Sequence, residues 1–349
     1  MSGRRLTRQQ RERVQAQQTR RIERLAARDD SDDAQLGPEE EGTVITRFGS
    51  HIDVETADRS AILRCRLRTN LDNPVSGDRV VWRRSPSRVE GEADGGVVVA
   101  LLPRRSELQR PDNYGKLKTV AANIDHAIVV FAPLPAPSSA LLDRYLAAAE
   151  HSRLSPVLLL NKSDLTATPG HAEAERLTAL YRRTGYRVLH CSSRTADGLD
   201  ELRDFLRGRT CVFVGQSGVG KSSLVNALLP DAALATREVS PVSGLGQHTT
   251  TAARLFHLPT TDGTPAGDLI DSPGVREFQL WHIDEAQLEA AWIDFRPWQG
   301  QCRFRDCRHL KEPGCALRAA AERGELATER LENFLRIRDS LRDAPDIRP

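Results

Sequence analysis

No apolar run in the sequence approaches the roughly 18 residues that a bilayer-spanning helix needs. The arginine-bearing N-terminus leads into no apolar stretch, which argues against a secretory signal. Together these absences predict a cytoplasmic protein with no membrane partner. Internal repeats are also missing, which excludes a stacked-repeat architecture. Lysine is scarce: of 50 basic side chains, only Lys116, Lys118, Lys162, Lys221 and Lys311 are not arginine. Where arginine is so strongly preferred, a retained lysine marks a place that calls for a compact ammonium. Cysteine is sparse and uneven, with three of six (Cys302, Cys307 and Cys315) inside fourteen residues. In a cytosolic chain such a cluster points to a metal and away from disulfides. The scattered Cys65, Cys191 and Cys211 read as small core residues.

What is present is ordinary in bulk. Hydrophobic residues at 39% and charged residues at 28% describe a globular chain, and 349 residues suggest two or three domains. The net charge of +2 conceals a segregation: residues 1–28 carry nine Arg and two Glu, and residues 29–41 carry seven acids and no base. Residues 1–41 therefore read as a mobile extension, either seeking nucleic acid or simply solvated without a partner.

Five β-rich runs follow, at Thr43–Arg47, His51–Glu55, Ala61–Leu67, Asp78–Arg84 and Gly96–Leu102. Turn residues separate them, and the spacing predicts a small closed barrel over residues 42–105. An OB-fold leads, with an SH3-like barrel as the alternative. Arg64, Arg66, Arg68, Arg79, Arg83 and Arg84 would decorate it as an RNA-binding surface. Phe48 and Trp82 offer stacking faces, unless Trp82 belongs to the core. Pro103–Thr119 reads as a polar, turn-rich connection.

Residues 106–283 have a different texture. The apolar runs His126–Phe131 and Pro156–Leu160 are typical of strands buried on both faces. They alternate with helical patterns at Ser139–His151, Ala172–Arg183 and Leu199–Leu206. Further strands are expected at Arg187–His190, Thr210–Val214, Ala253–His257 and Asp268–Ile270. This is an α/β sheet with helices on both sides. Residues 284–349 form a helical, Trp-containing segment interrupted by the Cys/His cluster.

GQSGVGKS at 215–222 is a phosphate-binding loop, set between an apolar strand and a helix as the motif requires. Gly215, Gln216, Ser217, Gly218, Val219 and Gly220 would bring backbone amides around phosphate oxygens. Lys221 would reach the β- and γ-phosphates, and Ser222, followed by Ser223, would bind magnesium. NKSD at 161–164 selects guanine. The Asp164 carboxylate accepts from guanine N1–H and the exocyclic amine, Asn161 braces the loop, and the Lys162 stem covers the base. Ser192 and Ser193 would close over the base edge. In DSPG at 271–274, Asp271 would hold magnesium through water and the Gly274 amide would sense the γ-phosphate. GLGQHTTT at 244–251 is a switch loop. Either Thr249 or Thr250 in it completes the magnesium shell, with Thr250 taken as the ligand.

The order is permuted, because the base-recognition elements precede the phosphate loop and the switches. Val275 stands where Ras-like enzymes carry the Gln that orients water. His248 is the substitute candidate as orienting group or general base, against the reading that it is an exposed histidine with no role. Cys302, Cys307, His309 and Cys315 form C-x4-C-x-H-x5-C. This closed four-ligand set suits a structural zinc, with unmetallated core thiols as the alternative. Arg303, Arg305 and Arg308 interleave with the ligands as a candidate RNA-facing patch.

The order of barrel, NKSD, GQSGVGKSS, GLGQHTTTAARL, DSPGVREF and C-x4-C-x-H-x5-C resembles the RsgA family of ribosome small subunit-dependent GTPases. VITRFGSH at 44–51 and AANIDHAIVV at 121–130 strengthen the likeness, which spans the chain from about residue 42. The resemblance implies a monomeric late-maturation factor that binds the 30S subunit and its rRNA near the decoding site. It implies GTP hydrolysis to GDP stimulated by that subunit, with release afterwards. It also places a catalytic histidine at His248. The alternative is an RNA-binding assembly chaperone that uses GTP only as a binding switch.

Overall fold

The computed structural model describes residues 36–49, 51–68, 71, 73–85, 95–111, 116–229, 253–259, 266–271, 280 and 283–342. The expected extension over residues 1–35, the switch loop with His248, Thr249 and Thr250, and Gly274 and Val275 lie outside them. The chain divides into two units, Met1–Pro103 and Arg104–Pro349.

In the first unit, five strands run β1 (Glu39–Phe48), β2 (His51–Thr56), β3 (Ile62–Leu67), β4 (Arg79–Arg84) and β5 (Gly96–Leu101). They pair in the order β1-β2-β3-β5-β4, and β4 returns to β1. The closure is antiparallel, with Glu40 opposite Trp82 and Gly42 opposite Val80. Only β3 and β5 run parallel. This is a closed, OB-like Greek-key barrel. Its core collects Val44, Ile52, Val54, Cys65, Val80, Trp82 and Val98.

One open alternative is decided here and one expectation changes. Trp82 is fully buried, so it fills the barrel and offers no stacking face. Gly42 and Gly96 make its room, since a Cβ at either would lie 3.1 Å or less from the indole. The acidic end of the expected mobile extension lies inside the barrel, because Glu39, Glu40 and Glu41 pair with Arg83, Trp82 and Val81. Arg83 holds the entry by donating to the carbonyls of Gly37 at 2.8 Å and Leu36 at 3.2 Å. Phe48 stays 41% exposed, with the Arg64 guanidinium 5.2 Å from its ring centroid.

The second unit opens with a correction. Within the predicted polar connection, β6 (Glu107–Pro111) and β7 (Leu117–Ala122) form an antiparallel hairpin. Ser106 anchors it through Oγ, which donates to the Ile124 carbonyl at 2.6 Å. Its apolar signal is a short alternation around Leu108 that the many charged neighbours obscure.

The sheet beyond comprises β8 (His126–Phe131), β9 (Ser155–Leu160), β10 (Val188–His190), β11 (Thr210–Val214), β12 (Arg254–His257) and β13 (Asp268–Asp271). Strands β10, β9, β8, β11 and β13 are neighbours in that order and all parallel. β12 lies antiparallel to β13. Helices α1 (Ser139–His151), α2 (His171–Arg183), α3 (Leu199–Leu206) and α4 (Lys221–Leu228) connect them. The core strands are buried on both faces, from Ile128 and Val130 to Leu159 and Cys211.

A helical segment completes the unit with α5 (Glu285–Ala290), a 3-10 helix at Ile293–Trp298, α6 (Ala316–Glu322) and α7 (Thr328–Arg342). Asp284 starts α5 through a reciprocal cap with Gln287. Phe334 packs edge to face on Trp292 and Phe295 at centroid distances of 5.4 and 4.9 Å, and Trp292 and Phe295 are tilted to one another at 6.0 Å.

Candidate functional site

Parallel strands place their carboxyl ends along one edge of the sheet, where ligands of such folds bind. Gly215 follows β11, Asn161 follows β9 and Ser192 follows β10 by two residues, so the three motifs meet at that edge. Backbone demands at the phosphate loop explain its glycines. Gly215, Gly218 and Gly220 have φ of 137°, 83° and 96°. A Cβ on Gly215 would come within 2.3 Å of the Val130 carbonyl, and one on Gly220 within 2.4 Å of Asn161 Nδ2. α4 begins directly after Gly220 and aims its amide end into the loop, the arrangement that favours phosphate. The Lys221 ammonium is buried and donates to the carbonyls of Gly215 and Gln216. Ser217, Ser222 and Ser223 are exposed.

Asn161 is fully buried and ties the loops together. Its Nδ2 donates to the Val219 carbonyl at 2.9 Å, and its Oδ1 accepts from the Ser193 amide at 3.2 Å. The Cys191 thiol donates to the same Oδ1 at 3.6 Å. Lys162 adopts φ 57°, and its ammonium donates to the carbonyls of Gly218 at 2.6 Å and Leu134 at 2.8 Å. Its stem therefore lies beside the phosphate loop. The Ser192 hydroxyl donates to Asp164 Oδ1 at 2.6 Å and accepts from the amides of Thr195 and Arg194. That bond fixes the carboxylate while leaving Oδ2 as an acceptor. Asp271 ends β13, one residue past the Ile270–Val212 pairing with β11, and so sits beside the strand that feeds the loop.

At the second cluster, Cys302, Cys307, His309 and Cys315 bring their ligand atoms within 4.8 Å of one another. His309 Nδ1 lies 3.6 Å from the sulfurs of Cys302 and Cys307 and 3.3 Å from that of Cys315. A tetrahedron with metal–sulfur and metal–nitrogen bonds of about 2.3 and 2.0 Å has an S–N edge of about 3.5 Å. The donor set fits a metal ion. His309 Nε2 faces Glu289 Oε2 at 3.5 Å, a carboxylate that orients the ring so that Nδ1 faces the sulfurs. Glu289 escaped the sequence reading because it lies 20 residues upstream, on α5. By contrast Cys191 and Cys211 are buried in the sheet core, and burial pushes the Cys191 thiol up to about 12. Both stay protonated and inert.

A buried ionic cluster links the sheet to the helical segment. Arg330 on α7 is 1% exposed and pairs with Asp143 on α1 and with Asp294 at 2.7 Å. Its guanidinium also stacks 4.5 Å from the centroid of Trp292. Asp143 accepts further bonds from the Tyr181 hydroxyl at 2.6 Å and Asn333 Nδ2 at 2.8 Å. α1 in turn flanks the phosphate loop, its Leu141, Leu142 and Tyr145 lining a small cavity with Gln216 and Val219.

A barrel joined to a parallel P-loop sheet whose base-recognition loops come first in sequence defines a circularly permuted GTPase. Comparison with known proteins specifies the branch. The family model for the RsgA GTPase matches residues 101–281. "Small ribosomal subunit biogenesis GTPase RsgA" of Dickeya dadantii is 48% identical over 98% of this chain and 96% of its own length. The protein of the same name from Azotobacter vinelandii is 49% identical over 98% of both. Among solved structures, YjeQ from Thermotoga maritima matches with a TM-score of 0.67 and 29% identity, covering 87% of this chain and 99% of that one. YloQ, described as a circularly permuted GTPase, matches with a TM-score of 0.68 and 30% identity, covering 88% and 96%. The chain belongs to the RsgA GTPase family.

Proposed function

We propose that this GTPase acts as a timer in late maturation of the small ribosomal subunit, in the cytoplasm. It binds rRNA near the decoding site in the GTP form, hydrolyses GTP there and dissociates. The names of its relatives support the ribosomal assignment. The observation that carries the nucleotide assignment is Asn161, whose two hydrogen bonds lock the guanine-reading loops to the phosphate loop.

In this reading Asp164 binds guanine N1–H and the exocyclic amine, with Ser192 holding its other oxygen and Ser193 and Lys162 enclosing the base. The amides of residues 215–223 cradle the phosphates, and Lys221 turns from its loop carbonyls to the β- and γ-phosphates. Ser222 and Thr249 or Thr250, with Asp271 acting through water, would hold a magnesium ion, which would supply charge neutralisation for phosphoryl transfer. The Gly274 amide senses the γ-phosphate, and His248 orients the attacking water. The Cys302, Cys307, His309 and Cys315 set holds a structural zinc that orders the surrounding loop. Arg303, Arg305 and Arg308 are exposed on that loop with Phe304, a surface suited to phosphate and base stacking.

Val275, in place of a water-orienting Gln, favours a second reading in which GTP serves only as a binding switch. GTP turnover with and without purified 30S subunits separates the two. Stimulation by the subunit supports the timer, and equal rates favour the switch.

A further inference from the structure

The edge of the sheet opposite the nucleotide loops carries its own concave, basic surface. Two adjoining hollows of 560 and 740 Å³ lie there and share His126, Arg153, Ser155 and Arg209. Their position follows from the parallel topology. Arg209 immediately precedes β11, Arg187 immediately precedes β10, Arg153 lies two residues before β9, and His126 opens β8. Four neighbouring strands thus deliver three arginines to one end of the sheet. Phe205 of α3 lies under two of them, with the guanidinium of Arg187 4.8 Å and that of Arg209 4.9 Å from its ring centroid.

The acids nearby do not neutralise this surface. Asp125 is engaged by Arg105 at 3.1 Å, and Glu150 by Arg296 at 3.4 Å, each pair lining one of the two hollows. Arg187 reaches Glu201 only at 4.0 Å, and Arg209 donates to the Phe205 carbonyl. Among the described residues, no carboxylate lies within ion-pair distance of Arg153. His126 is held below its ordinary pKa by burial, opposed by its bond to the Ser155 carbonyl and by Asp125 and assisted by Arg209 and Arg187.

Arg153 itself is in a costly place. It follows α1 with φ 57°, the left-handed conformation that glycine adopts freely at a helix end. Any side chain there costs about 1 kcal/mol or more relative to glycine. A long cationic side chain at such a position, exposed and, among the described residues, without a carboxylate partner, is free to meet a ligand outside the chain.

We infer that this arginine-lined edge, built on Arg153, Arg187 and Arg209, is a second anion site that grips the phosphate backbone of RNA. Guanidinium groups supply paired donors to phosphate oxygens, and their planes accept stacked bases. The hollows are open and adjoining, which suits a polymer lying across the edge. The inference rests on the ribosomal reading above for the identity of the RNA, but the site is distinct from the barrel and from the metal-bearing loop.

The test uses the full-length, GDP-loaded protein and the double variant Arg153→Gln/Arg187→Gln, which leaves Arg209 on Phe205. Binding of a fluorescent RNA duplex is measured across a salt series by anisotropy, with far-UV circular dichroism and GDP affinity as folding controls. Each lost phosphate contact lowers the log–log salt slope by about 0.7–0.9. The double variant should therefore lose about 1.4–1.8 from the slope, with weaker binding at low salt and unchanged GDP affinity. Arg153→Lys/Arg187→Lys should recover most of the slope. Affinity and slope equal to wild type in the folded Gln variant would overturn the proposal while leaving the ribosomal reading intact. Pyrophosphate binding that the Gln variant loses, with RNA binding unchanged, would assign the edge to a small ligand and also overturn it. Wild-type protein that binds neither the duplex nor 30S subunits would remove both the inference and the reading beneath it.

Discussion

Arg330→Met removes the centre of the buried ionic cluster that joins α7 to α1. Methionine approximates the length of the stem and keeps contact with Trp292, but it removes every hydrogen bond the guanidinium makes. Asp143 then remains fully buried with only Tyr181 and Asn333 as donors, at 2.6 and 2.8 Å. Breaking a buried pair from one side costs about 3–5 kcal/mol. The two surviving donors place this case near about 3 kcal/mol, out of a total stability on the order of 5–15 kcal/mol. The pH dependence follows. Burial already raises the Asp143 carboxyl above its ordinary value, with Arg330 opposing that rise. Losing Arg330 raises it further, so the variant folds with Asp143 protonated at low pH and loses stability as pH climbs from the ordinary carboxylate range through the raised value. Urea unfolding at pH 5 and pH 8 measures both effects. A companion Asp143→Asn/Arg330→Met variant, which leaves only Asp294, at 10% side-chain exposure, without its partner, should recover part of the loss. A cost for Arg330→Met below about 1 kcal/mol at pH 8 would refute the claim that this cluster clamps α7 to α1.

Three further outcomes are expected. Gly220→Ala should abolish nucleotide binding in a folded protein, because its Cβ would meet Asn161 Nδ2 at 2.4 Å at φ 96°; calorimetry showing wild-type GTP affinity would contradict this. Asp164→Asn should weaken GTP and favour xanthine nucleotide, whose carbonyl matches the amide donor, and competition binding that still prefers guanine would exclude contact with the base. Cys307→Ser should lose stoichiometric zinc and loosen α6 with the Cys302–Cys315 loop while GTP binding persists; metal analysis finding no zinc in the wild type would remove the assignment.

Local chemistry was readable from the sequence where a motif is contiguous. The glycine spacing at 215–220 reports backbone conformations that only glycine adopts freely, and NKSD carries its acceptor and brace within four residues. The helices Ser139–His151 and Leu199–Leu206 and the strands His126–Phe131 and Thr210–Val214 run where the periodicity placed them. Long-range pairings were not readable. Arg330 meets Asp143 across 187 residues, and nothing local distinguishes either from a surface charge beyond Asp143 lying in the apolar stretch of α1. The hairpin of β6 and β7 was hidden by its polar faces. Trp82 was ambiguous because only closure of the barrel, with Gly42 and Gly96 beside the indole, decides that it is core.

The central claim is that hydrolysis on the small subunit releases the protein. Phosphate release and dissociation from purified 30S subunits should be followed together in one stopped-flow sample, for the wild type and for His248→Ala. The account predicts that wild-type dissociation follows phosphate release, and that His248→Ala binds GTP normally yet hydrolyses slowly, by about 10²–10⁴, and stays on the subunit. Dissociation at the wild-type rate with a non-hydrolysable GTP analogue would contradict it.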